Sequence, residues 1–127
     1  MNNKINKENL FGRVIKSITG LEKDSTEVKI IFKDGGEIIQ NHKQEWSEEV
    51  YVEQIDGNVF MHEGAIIYEL LEKVCSKDEI SEKELLSSSD SLTATFYTLK
   101  TSRGYLDWRW YGESNGYYSE DVECILN

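Results

Sequence analysis

The residues best suited to chemistry crowd into one stretch, Trp108-Arg109-Trp110-Tyr111-Gly112-Glu113-Ser114-Asn115-Gly116-Tyr117-Tyr118. Arginine stacks on aromatic faces and donates in a rigid fork to phosphate or carboxylate. Arg109 is one of three arginines in the chain, with Arg13 and Arg103. With Trp110, Tyr111, Tyr117 and Tyr118 supplying ring faces and Asn115 an amide, the stretch could hold a small, planar, anionic, nucleotide-like ligand. The same residues also fit a purely structural role: core tryptophans, cross-strand tyrosine pairs and an Asn-Gly turn. Both readings stand at this point.

His42, close to Gln44 and Trp46, joins the candidate ligand-binding set, although a lone histidine is more often structural. Metal chemistry is not expected. His62 is the only other histidine, and Cys75 and Cys124 are far apart, without ligand spacing. Ser114 and Ser119 lack the glycine-flanked elbow of a nucleophilic serine. The neighbouring acids Glu48-Glu49 and Glu120-Asp121 read as solvated surface, since adjacent strand residues face opposite ways. No catalytic residue and no cofactor is therefore expected, and the chain does not read as an enzyme.

The elements that would carry these residues are mainly strands. Leu92 to Thr101 is rich in Thr, Phe and Tyr. Tyr105 to Tyr111 alternates, with Leu106, Trp108 and Trp110 on a core face and Tyr105, Asp107, Arg109 and Tyr111 on the other. Asn115-Gly116 predicts a hairpin into a return strand from Tyr117 to Ile125, so that three consecutive antiparallel strands are expected. Upstream, strands are predicted over 13–19, 27–32, 37–42 and 50–55, with a turn at Lys33-Asp34-Gly35-Gly36. The apolar spacing of Ala65 to Val74 favours a helix over the alternative strand. Ser76 or Ser81 could cap a short helix, and Ser87 to Ser91 reads as a loop. The expected fold is α+β, mainly β: a single domain from 10 to 127 behind a polar tail at 1–9, with an antiparallel sheet of about seven strands and one or two helices packed on it.

Composition narrows the partners. The 127-residue chain has a net charge of −10 and no proline. That balance argues against holding long nucleic acid, which needs clustered lysine and arginine. No apolar run approaches the length of a membrane span, and the polar start lacks a signal peptide's apolar core, so a cytosolic protein is expected. Aromatic residues on both faces of one sheet exceed what a single helical layer covers, which predicts a homodimer or larger assembly.

Several segments together carry a family resemblance. They are Leu10-Phe11-Gly12-Arg13-Val14-Ile15, Asp34-Gly35, His42-Lys43-Gln44-Glu45, Val52 to Gly57, Thr95 to Tyr97, Gly104, and the closing block Arg109 to Glu120. Over roughly residues 10 to 124 the chain resembles a family of small phage and prophage proteins classed as a domain of unknown function. The closing block is the specific part. Where many members carry a Cys-Cys pair, this chain has Trp46-Ser47. The resemblance implies a mobile-element origin and a β-rich fold, and brings no activity with it. By analogy of class, the expected function is sequestration of a small nucleotide-derived immune signal without chemical conversion. The alternative is a protein-binding module or inhibitor acting on a host factor.

Overall fold

The computed structural model describes residues 7–76 and 91–127. Among these residues eight strands form two four-stranded antiparallel sheets, and helix is confined to a single turn, α1 (Lys7–Leu10), and a 3-10 turn, Val59–His62. In the first sheet, β1 (Ile15–Thr19), β2 (Glu27–Phe32) and β3 (Glu37–Asn41) form a meander, and β8 (Glu123–Leu126) pairs beside β3. In the second, the order is β4 (Glu49–Asp56), β7 (Gly104–Ser114), β6 (Ser91–Thr101) and β5 (Ile67–Ser76).

Alternation explains the packing. Ile15, Val28, Ile30, Phe32 and Ile38 from the first sheet share one apolar cluster with Val52, Ile67, Tyr97, Leu99, Leu106, Trp108 and Trp110 from the second. The inner faces of the two sheets thus bury each other, the arrangement that removes most apolar area from water in an all-β chain. Two seams join their margins. Ile15 N–H donates to the Ala65 carbonyl and Ile67 N–H to the Arg13 carbonyl. At the other seam Val52 N–H donates to Ser25 and Asp24 N–H to Val52.

Three expectations are corrected. The single sheet of about seven strands, faced by one or two helices, is, among the described residues, two sheets of four strands with almost no helix. The helix predicted over Ala65 to Val74 is strand β5, paired with β6 from Ile67↔Thr101 to Ser76↔Thr93. The return strand predicted over Tyr117 to Ile125 does not pair with β7. Residues 115–122 form no strand, and β8 joins β3 through Ile39↔Ile125 and Gln40↔Cys124. The reason lies in β4, which already occupies that side of β7 through Tyr51↔Tyr111 and Val52↔Trp110. The expected cap at Ser81 and most of the loop at 87–91 lie outside the described residues.

Candidate functional site

Strand β7 presents Arg109 and Tyr111 on the outer face of the second sheet, opposite Trp108 and Trp110 in the core. The guanidinium lies 5.7 Å from the Phe96 ring and 5.0 Å from the Tyr111 ring. Its Nε and Nη2 donate to Glu53 Oε1 at 2.9 and 2.6 Å, and Nη2 also donates to Gln54 Oε1 at 2.6 Å. Glu53 is the extra residue of a β-bulge between Val52 and Gln54 in β4, which brings the side chains of Glu53 and Gln54 to one arginine. A shallow hollow of about 260 Å³ beside Arg109 also contains Asp56 and Asp107. Acid therefore outweighs base around this arginine. In the row above, the Tyr51 hydroxyl donates to Glu113 at 2.6 Å; burial first, and then that carboxylate, push the phenol up.

The other predicted site residues are dispersed. Trp110 is fully buried and presents no face to a ligand. Tyr111 is mostly buried, in a small outer-face cluster with Cys75, Leu92 and Ala94. Asn115 closes a turn, its Oδ1 accepting from Tyr117 N–H at 2.9 Å. Tyr117 is 84% exposed, and its ring meets Tyr118 at 5.5 Å. His42 sits at a different place altogether.

That place is a cleft of about 560 Å³ between β5 and the run Ser119–Ile125. Its walls include Glu72 and Val74 from β5, Thr95 from β6, Val122 and Cys124 from the C-terminal run, and His42, Lys43 and Glu45 from the segment after β3. Among the described residues, four acidic residues line it, Glu45, Glu72, Asp121 and Glu123, and one lysine, Lys43.

The cleft wall is built around Glu48. This side chain is buried, contrary to the solvated surface expected of Glu48-Glu49. Burial opposes its charge, but hydrogen bonds from His42 and from the N–H groups of Glu45 and Trp46 outweigh that and pull its pKa down to about 2. His42 Nε2 meets Glu48 Oε2 at 2.7 Å and Nδ1 meets the Asp121 carbonyl at 2.7 Å. Both ring nitrogens thus lie against oxygen atoms that fix the ring in place. Gln44 donates to the carbonyls of Trp46 and Glu48, closing the loop.

Glu120, likewise expected on a solvated surface, is buried and accepts hydrogen bonds from Thr93 and Ser114. Its backbone passes so close to β7 that a Cβ on Gly112 would stand 2.8 Å from the Glu120 carbonyl oxygen. Gly112 is therefore what lets the C-terminal run cross β7 and reach the cleft.

Sequence reasoning missed a buried hydrogen-bond network that reaches the cleft at Cys124 and Glu72. Gln40 of β3 is fully buried, and its Oε1 accepts from the indoles of both Trp108 (2.9 Å) and Trp110 (3.1 Å). Its Nε2 donates to Cys124 Sγ at 3.4 Å. Burial pushes the Cys124 thiol up to about 12, so it is no nucleophile near neutrality. Tyr97, stacked on Trp108, donates to Glu72 at 2.7 Å, and burial above all pushes its phenol up. The only sequence signal was Gln40 itself, a polar residue on the apolar face that Ile38 begins.

The remaining arginines are held by the fold. Arg13 grips Asp34 through Nε and Nη2, and Arg103 donates to the carbonyls of Met61 and Glu63. Among the described residues, no group of three or more His, Cys, Asp or Glu could hold a metal ion, and no helix is long and apolar enough to cross a membrane. No curated protein and no solved structure matches the chain. The family model of the domain of unknown function DUF7448 matches residues 8–124, nearly the whole fold just described, so the chain belongs to the DUF7448 family.

Proposed function

We propose that this protein is a non-catalytic protein-binding module whose acidic cleft receives a basic, exposed segment of a partner protein. The observation that carries this reading is the imbalance among the described residues of the cleft, where Glu45, Glu72, Asp121 and Glu123 stand against Lys43 alone. A concave, low-dielectric wall lined by one sign of charge focuses potential and favours lysine or arginine from a partner. The net charge of −10 steers such a partner from a distance. The hydrogen-bonded loop from His42 to Glu48 holds one wall in place before binding, which limits the ordering cost.

Charge reversal at two positions, matched in net charge with each other, tests it. A labelled oligolysine peptide is titrated against wild type, Glu123→Lys in the cleft and Glu22→Lys on the distant β1–β2 turn, with fluorescence anisotropy as the readout. Glu123→Lys should weaken binding roughly tenfold, and Glu22→Lys much less. Equal losses would reduce the effect to net charge and discard the cleft.

Sequestration of a nucleotide-derived signal, in a phage or prophage setting, is the second reading. It is favoured by the position of Arg109 between the Phe96 and Tyr111 rings. A phosphate there would have to displace Glu53 and enter beside Asp56 and Asp107. Calorimetric titration with cyclic and linear nucleotides decides it: binding by wild type that is lost in Arg109→Ala supports the reading, and no heat with any nucleotide ends it.

A further inference from the structure

Strand β5 is an edge with unusual exposure. Among the described residues it pairs with β6 on one side, and on the other only its start is engaged, where Ile67 exchanges hydrogen bonds with Gly12 and Arg13. Beyond that point every residue from Leu71 to Val74 is exposed, with Leu71 at 43% and Val74 at 54%. A long edge studded with apolar side chains is a template for another strand. We propose that the occupant is a second copy of this chain, docked antiparallel along β5 about a twofold axis at Leu71.

The sequence of β5 selects that register. With the axis at Leu71, Leu71 meets Leu71 of the second copy, and Glu69 faces the second copy's Lys73 at both symmetric positions. Opposite charges directly across an antiparallel pair stabilise it, and like charges oppose it. Moving the axis to Glu72 sets Glu72 against Glu72. Moving it to Lys73 sets lysine against lysine, and moving it to Glu69 sets glutamate against glutamate. An axis at Leu70 sets Glu69 against Leu71 and forfeits the match between Glu69 and Lys73. Lys73 thus deters most strand partners while matching its own copy, which is how an edge avoids indiscriminate pairing. Glu69 already contacts Lys100 of β6 at 3.2 Å, so it would stand between two lysines. The contact is isologous and closed, joining the two second sheets into one of eight strands. It goes beyond the cleft reading and does not depend on it.

Sedimentation equilibrium of the full chain at micromolar concentrations tests the proposal, with thermal melts as the control for folding. Wild type should dimerise. Lys73→Glu, at an exposed position, should weaken the dimer roughly tenfold without shifting the melt. The swapped variant Glu69→Lys/Lys73→Glu should recover dimerisation. A monomeric wild type overturns the proposal, as does a Lys73→Glu dimer of unchanged affinity. If the swap disturbs Lys100 and lowers the melt, Leu71→Lys decides instead: a dimer that survives it overturns the proposal.

Discussion

Gln40 shows how one side chain can tie two sheets together. Its Oε1 receives both β7 indoles, so Gln40→Leu would leave two indole N–H groups buried without an acceptor. At about 1–3 kcal/mol for each unsatisfied buried donor, the variant should lose about 2–6 kcal/mol in a guanidinium titration. The sequence could not name this residue's role, because its partners lie 68 and 70 positions away. The burial of Trp108 and Trp110 was legible from alternation alone, whereas what their N–H groups bond to was not. Glu48 was misread for a related reason. A carboxylate beside another on a polar stretch looks solvated until the turn that aims two N–H groups and a histidine at it is known. Because its pKa is depressed in the folded state, its contribution is present above the ordinary value of 4.5 and is lost as pH falls toward about 2. The difference in melting temperature between wild type and Glu48→Gln should be largest above pH 4.5 and close as the pH approaches 2, which calorimetry across that range would check.

At the scale of elements, local signals were read well and long-range ones were not. β2 matches its predicted span, and β3, β4, β6 and β7 lie close to theirs, because alternation and glycine turns are written into neighbouring residues. β5 failed for a definite physical reason. A β-bulge between Ile67 and Glu69 inserts one residue, so the core-facing Ile67 and Leu70 fall three apart, and the exposed, cleft-lining Val74 follows four further on. That spacing imitates the stripe of a helix. The dispersed binding set has a similar origin. Trp110 and Arg109 are adjacent in sequence and therefore on opposite faces, and His42 reaches the C-terminal run only because β8 lies beside β3. The cleft was illegible because its walls come from four separated segments.

The whole molecule was legible as mainly β and acidic, but its division into two sheets was not, since that depends on which strand edges meet. The pairing of β3 with β8 joins Ile38 to Leu126 and Asn41 to Glu123. The strand synthesised last of the eight therefore completes the sheet begun first. A nascent chain bearing only the meander would keep the edge of β3 unpaired until Cys124 and Leu126 emerge. Closing so long a loop before any contact rewards it slows the search for the native state. Stopped-flow refolding followed by tryptophan fluorescence should accordingly run on the order of milliseconds to seconds, as for other chains dominated by distant strand pairings. A microsecond phase carrying the full change would show that the indoles reach their final surroundings without β8. The same connectivity puts a premium on protecting the growing chain, because the half-built sheet offers Gln40, Ile38 and the edge of β3 to any strand that arrives before its own.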